Sequence, residues 1–177
     1  QTWCFPPGPD GLISNAFARS APNSFRVNAA DGTQDDVVHR MNVDAGQWTI
    51  EVWTFVPNGG QGVAYVILLN QYFDENCLGQ NNWSLQVRLD GFSGQVNNEG
   101  ASGGFTTLVR GQWMPVRVEV DLDADLFDLF YGNVQLVDDG VWSEEASGGG
   151  IPALAALDLF CIDSELFFDD VSIRASD

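Results

Sequence analysis

Two adjacent carboxylates interrupt the last apolar segment of the chain. Residues 166–174 have the sequence LFFDDVSIR, which is typical of a closing β-strand. Side chains alternate along a strand, so Asp169 should share an apolar face with Phe167, Val171 and Ile173. An uncompensated carboxylate there costs several kcal/mol, and it needs a cation, a cluster of backbone N–H donors or an Arg. We expect structural calcium, which prefers carboxylate oxygens, bound by Asp169, Asp170, Asp31 and Asp35.

A second group of carboxylates, Glu119, Asp121 and Asp123, has strand spacing. Alternation places all three on one face, about 7 Å apart from one to the next. Glycoside hydrolysis needs two carboxyl groups roughly 5–9.5 Å apart. The Cα atoms of Glu119 and Asp123 would be about 13 Å apart on a strand, and Asp123 opens a turn. We therefore predict that these two residues are not a catalytic pair.

Other catalytic sites are poorly supported. His39 is the only histidine and lies in a polar run, where a surface position is the usual one. A Ser-His-Asp site would therefore rest entirely on His39. The aspartates at 121, 123 and 125 do not form a calcium-binding helix–loop–helix motif, because Leu126 stands where that loop needs Gly. We expect no enzymatic activity.

Charge and composition restrict the partners. The 177 residues include 25 acidic and 7 basic side chains, all seven of them Arg, for a net charge of −18. Binding to nucleic acids or to anionic membranes requires basic patches, which seven scattered Arg side chains do not supply. No apolar run is long enough to insert into a membrane. The length predicts one domain over residues 1–177, and a hydrophobic content of 45% excludes a disordered acidic tail. The acidity fits either a hydrated secreted surface or loops that bind divalent cations.

The N-terminus and the cysteines indicate the compartment. The chain begins Gln1-Thr2-Trp3-Cys4 without an initiator Met, so we expect the mature form of a secreted, extracellular protein. Cys4, Cys77 and Cys161 lack metal-ligand spacing. One disulfide and one leftover thiol are expected, with Cys77–Cys161 favoured; three buried free thiols are the alternative.

Hydrophobic periodicity is close to two almost throughout, which predicts an all-β chain. The clearest strand patterns cover residues 48–56, 63–70, 83–90, 116–122, 126–131, 155–162 and 166–174. Segment 63–70 is apolar on both faces and should be central, and Gly132-Asn133 predicts a hairpin turn. Many short strands separated by turns predict a two-sheet antiparallel jelly-roll β-sandwich.

Seven segments in chain order resemble concanavalin A-like jelly-roll modules of secreted bacterial proteins. They are RSAPNSFRV at 19–27, GQWTIE at 46–51, WTFVP at 53–57, NWSLQV at 82–87, WMPVR at 113–117, DLDAD at 121–125 and FDDV at 168–171. The last is also similar to the closing strand of MAM domains and of calcium-containing carbohydrate-binding modules, where the aspartate at the place of Asp169 is commonly a metal ligand. The resemblance implies this fold and a non-catalytic role.

Such a module would bind an extracellular polysaccharide or another surface. Sugar binding uses an aromatic platform and planar polar side chains, and the expected ligand-binding residues are Trp53, Glu51, Gln86, Arg88, Arg117, Glu119 and Trp142. The alternative for Trp53 and Phe55 is a further buried layer. A self-associating subunit of an extracellular fibre or surface assembly is the alternative function. A laminarinase-like glycosidase comes third, because Glu119-x-Asp121-x-Asp123 resembles that family's motif with Asp in place of its second Glu.

Overall fold

The computed structural model describes residues 11–29, 34–73 and 81–176, which form thirteen β-strands. In chain order they are β1 (Leu12–Ser14), β2 (Ser24–Asn28), β3 (Gln34–Val43), β4 (Gln47–Phe55), β5 (Val63–Gln71), β6 (Asn82–Asp90), β7 (Gln95–Asn98), β8 (Phe105–Thr107), β9 (Trp113–Asp121), β10 (Leu126–Tyr131), β11 (Val134–Val141), β12 (Leu154–Ile162) and β13 (Glu165–Ala175). Within these ranges, no helix is long and apolar enough to cross a membrane.

The strands form two antiparallel sheets. A seven-stranded sheet has the order β1-β2-β13-β4-β9-β10-β11, and a six-stranded sheet has the order β3-β12-β5-β6-β7-β8. The doubly apolar strand β5 lies inside the second sheet, between β12 and β6. The predicted two-sheet antiparallel sandwich is confirmed.

The main core lies between the two sheets because alternate residues of the central strands are apolar. Ile50 and Val52 of β4 belong to the same buried cluster as Leu68 of β5 and Leu85 of β6. Each of these side chains is almost completely shielded from water. The intervening residues of β4 and β9 therefore face outward, where a ligand could reach them.

Two tight hairpins fix the strand register of the seven-stranded sheet. Gly132, with φ of 58°, takes the first position of the two-residue turn between β10 and β11, as the Gly-Asn pair predicts. Residues 122–125 connect β9 to β10 and pair Asp121 with Leu126. The second hairpin thereby places Glu119 directly opposite Asp128.

The six-stranded sheet carries a second, smaller apolar cluster on its outer face. Val38, Ile67, Leu69 and Ala156 form its buried centre, with aromatic side chains packed around them. Strand β3 contributes to this cluster although its sequence is largely polar, QDDVVHRMNV. Burial on both faces explains why β5 lacks a polar side.

Candidate functional site

A groove of about 430 Å³ lies on the outer face of the seven-stranded sheet. It runs across β4, β9 and β10 and reaches β11, and it is called the acidic groove here. Its polar lining residues are Gln47, Thr49, Glu119, Asp121, Asp128, Asp139 and Ser176. Cavities of this volume are typical of sites for small ligands.

The strand register sets the lining residues in two parallel rows. In the first row Thr49 pairs with Glu119, which pairs with Asp128. In the second row Gln47 pairs with Asp121, which pairs with Leu126. Side chains opposite each other on one sheet face have Cβ atoms about 4.5–5.5 Å apart, so each row presents adjacent polar groups to one ligand.

Asp121 is held by neutral donors at the end of β9. Its carboxylate accepts bonds from the Gln47 side-chain amide at 2.6 Å and from the backbone N–H groups of Asp123 and Ala124, each at 3.0 Å. The Ala124 bond, followed by the Gln47 bond, lowers the pKa of Asp121. This carboxylate is therefore charged at neutral pH.

Asp128 is also held by neutral donors. Its Oδ1 accepts bonds from the Gln135 side-chain amide at 3.2 Å and from the Asp139 backbone N–H at 3.0 Å. Asp139 itself has φ of 52°, a left-handed conformation that Asp tolerates better than most residues. The bond to its N–H holds this part of β11 against the groove.

A further row beside the groove contains the other predicted ligand-binding residues of this sheet. Glu51 pairs with Arg117, and Arg117 with Phe130. The Arg117 guanidinium forms an ion pair with Glu119 and lies 3.9 Å from the centre of the Phe130 ring. The structure thus brings Glu51, Trp53, Arg117 and Glu119 together on one face.

Trp53 lies on this face but is not an open platform. Its indole N–H donates to Glu51 Oε1 at 2.8 Å, and the Arg19 guanidinium covers its ring at 3.6 Å from the centroid. A sugar could stack on this ring only if Arg19 moved. The neighbouring Phe55 is 7% exposed because Phe17 stacks on it. At this end of the sheet the structure therefore shows the further buried layer that was the alternative for Trp53 and Phe55.

The loop after β1 fastens to this covered end through Asp169 and Asp170, and is called the Arg19 loop (residues 15–23). Asp169 Oδ2 accepts the backbone N–H groups of Arg19 at 2.8 Å and Ser20 at 3.0 Å. Asp170 forms an ion pair with the Arg19 guanidinium and accepts the Ser20 hydroxyl at 2.8 Å. The carboxylate pair therefore has backbone N–H donors and an Arg as partners.

The predicted alternation of the closing strand is wrong beyond Asp169. Asp170 has φ of 45°, and Asp170 and Val171 form a bulge opposite β4. An extra residue in one strand reverses the side chains that follow. Phe167 and Asp169 share the outer face, whereas Ile173 packs against the main core and Val171 is 45% exposed.

The calcium set is not assembled by the described residues. Asp35 is buried near the end of β2, where it accepts the Asn28 N–H at 3.0 Å, and Asp31 lies outside the described ranges. Within those ranges, no three His, Cys, Asp or Glu side chains converge as a metal site. Calcium stays a prediction.

Gln86 and Arg88 face the opposite side of the sandwich, although they were predicted to share the binding face. Both lie on β6 of the six-stranded sheet. Arg88 forms ion pairs with Asp90 at 3.2 Å and Glu99 at 3.0 Å. Alternation separates inward from outward residues but does not say to which sheet a strand belongs.

Asp158 is a buried acid that the sequence analysis did not single out. It is 1% exposed and lies on β12, where its register partners are Val38 and Ile67 of the outer apolar cluster. Burial, and then the charge of Asp36, raise the pKa of Asp158 well above its ordinary value. It therefore tends to keep its proton.

Two further predicted residues are buried. Trp142 is fully buried, its ring packs against Phe127, and its indole N–H donates to the Ala153 carbonyl at 2.8 Å. It belongs to the core, so its assignment to the binding surface is wrong.

Cys161 is a buried free thiol that contacts the Ser164 carbonyl at 3.5 Å. It does not form the predicted bridge; Cys77 lies outside the described residues.

Several lining residues were missed, and the failure to predict β11 explains only Asp139 among them. Gln47, Thr49 and Asp139 carry no motif of their own. The pairing of Glu119 with Asp128 was accessible, since the short Asp-rich turn between two alternating segments fixes their register. Asp139 can be predicted to line the groove only when β11 is placed beside β10.

Comparisons with known proteins identify the fold but no family. No protein-family model matches the chain, and no curated protein matches it either. Among solved structures it is similar to the carbohydrate-binding module CBM66 from Bacillus subtilis, with a TM-score of 0.57 and 11% identity over 93% of this chain and 92% of the module.

Two other similar structures are longer than this chain. The potassium-bound carbohydrate recognition domain of Emp46p matches with a TM-score of 0.59 and 11% identity, over 93% of this chain and 86% of that domain. A sialidase matches with a TM-score of 0.62 and 7% identity over 88% of this chain, which spans only 15% of the sialidase. At these identities the likeness establishes the fold: the chain has the concanavalin A-like jelly roll that its sequence predicts.

Proposed function

We propose that the chain is a secreted, non-catalytic module that binds a glycan in the acidic groove. The observation that carries this proposal is the row of Thr49, Glu119 and Asp128 along a cavity of about 430 Å³. Three polar side chains side by side on rigid strands can contact several hydroxyl groups of one sugar at once. A sheet face also holds these groups more precisely than a loop would.

The chemistry of the groove suits sugar hydroxyls. The carboxylates of Glu119, Asp121 and Asp128 can accept hydrogen bonds from sugar hydroxyl groups, and hydrogen bonds to a charged acceptor are roughly twice as strong as neutral ones. The Thr49 hydroxyl, which is 2.9 Å from the Ser176 hydroxyl, can donate or accept. Leu126 adds an apolar contact for the C–H face of a sugar ring.

The same geometry argues against hydrolysis. Asp123 lies in the turn after β9, where its Oδ1 accepts the Gly46 N–H at 3.0 Å. Glu119 is paired with Arg117, and Asp128 accepts two N–H bonds. Neither carboxylate lies in an apolar pocket of the kind that a catalytic acid of a glycosidase occupies. We therefore retain the non-catalytic assignment.

The fold comparison supports the proposal by analogy only. Two of the similar structures carry names that describe carbohydrate binding or recognition. Because one fold hosts many functions, the argument for this chain depends on the groove.

A glycan array tests the proposal. We expect the wild type to bind at least one oligosaccharide class and the double variant Glu119→Gln, Asp128→Asn to lose at least tenfold in affinity. The double variant Glu99→Gln, Glu165→Gln removes the same charge away from the groove and should bind normally. Binding that survives the groove variant would contradict the proposal. Ordered polymers in electron micrographs without any glycan binding would favour the fibre subunit instead.

A further inference from the structure

The charge of the acidic groove indicates which class of sugar it takes, an inference that rests on the proposed glycan binding. We propose that the groove selects a cationic amino sugar, one with a free protonated amine, over neutral sugars and excludes uronic acids. Four of its lining residues are carboxylates, at positions 119, 121, 128 and 139, and none of the described residues that line it is Lys, Arg or His.

The carboxylates keep most of their charge uncompensated. Glu119 has Arg117 as its ion-pair partner. The hydrogen-bond donors to Asp121 and Asp128 are amides, which are neutral, and among the described residues neither carboxylate joins an ion pair. Arg174, the register partner of Thr49 on β13, is exposed and is not one of the residues that line the groove. Even with both arginines counted, the carboxylates of the groove are in excess.

Because of the strand register, this excess of negative charge destabilises the protein when no ligand is bound. Glu119 and Asp128 are directly opposite each other on neighbouring strands, and like charges at such positions are destabilising. Arg117 precedes Glu119 on the outer face of β9, and Asp121 follows it. The Arg117 guanidinium, which lies over the Phe130 ring, is therefore on the opposite side of Glu119 from Asp121. A cation placed between Glu119 and Asp128 would relieve the repulsion that Arg117 leaves.

A protonated amine suits this position. It carries one positive charge and three N–H donors, and it bonds to carboxylates at about 2.7–2.9 Å. The hydroxyl groups of the same sugar can use Thr49 and Gln47 in the neighbouring positions of the two rows. A uronate would instead bring a carboxylate against four others. The net charge of −18 would also slow its approach and steer cations inward.

Isothermal titration with three matched tetrasaccharides tests the selection. The probes are β-1,4-linked glucosamine, β-1,4-linked N-acetylglucosamine and a galacturonate tetramer, each with the purified chain at about 50 mM salt. We expect the glucosamine tetramer to bind at least tenfold more tightly than its acetylated form, and the galacturonate not to bind. At about 1 M salt the Debye length falls to roughly 3 Å, so the preference should shrink to about threefold or less.

The variants separate a groove effect from general attraction to an acidic protein. Glu119→Gln with Asp128→Asn should abolish the preference for the free amine, whereas Glu99→Gln with Glu165→Gln should keep it. A preference that survives the first pair overturns the groove assignment. Equal binding of both glucosamine forms, or the tightest binding by galacturonate, overturns the amine inference and leaves glycan binding standing. Failure of all three probes, together with a blank glycan array, overturns both.

Discussion

The attachment of the Arg19 loop to the closing strand can be tested by replacing Asp169 with Ala. The substitution removes the acceptor for two backbone N–H bonds from that loop, at 2.8 and 3.0 Å. Hydrogen bonds to a charged group contribute about 1.5–3 kcal/mol each. Water can reach this half-exposed site and replace part of them, so we expect a loss of about 2–4 kcal/mol. For a domain of this size that corresponds to a fall in Tm of about 5–15 °C.

Thermal unfolding followed by circular dichroism measures this loss, and Asp170→Asn is the matched control. Asn tolerates the left-handed backbone at that position, and the variant loses only a part-exposed ion pair and one hydroxyl bond, about 1 kcal/mol or less. Parallel scans with EDTA address the predicted calcium. If N–H donors satisfy Asp169, EDTA leaves the difference between wild type and Asp169→Ala unchanged. If EDTA lowers the wild type to the Tm of the variant, calcium is the partner and the reasoning fails.

Three other predictions concern buried groups. Trp142→Ala should cost about 3–5 kcal/mol in chemical denaturation, as for other large buried aromatics; a stable variant would show that Trp142 is not core. Because the folded pKa of Asp158 is raised above its unfolded value, its contribution to stability is full below about pH 4 and is lost as pH rises through the folded pKa. Asp158→Asn should flatten that dependence above about pH 4, and an unchanged profile would contradict it. Burial raises the pKa of Cys161 to about 12, so alkylation mapped by mass spectrometry should reach it only in denaturant; rapid native labelling would refute its burial.

The sequence predicted the sandwich because alternation is strong in the central strands. In β4, β6 and β9 every second residue is apolar, and the two-sided pattern of β5 placed it inside a sheet. β3 and β11 were missed because their polar residues obscure the alternation. In β3 this happens because Asp35 and Asp36 are buried, which composition alone does not indicate.

The candidate site was predicted in part. Alternation correctly put Glu51, Trp53, Arg117 and Glu119 on one outer face, since these residues lie on the adjacent strands β4 and β9. It could not reveal the bulge at Asp170, which depends on one left-handed residue, nor the Arg19 guanidinium above Trp53. Both result from contacts between residues far apart in the chain.

Mapping a bound oligosaccharide by NMR chemical-shift changes tests the central claim most directly. Titration of the isotope-labelled chain with the tightest array ligand should shift the backbone amides of Thr49, Glu119 and Asp128 together with their strand neighbours. Residues of the six-stranded sheet, such as Gln86 and Arg88, should stay unmoved. Shifts concentrated on Gln86 and Arg88, with none along the acidic groove, would contradict the account.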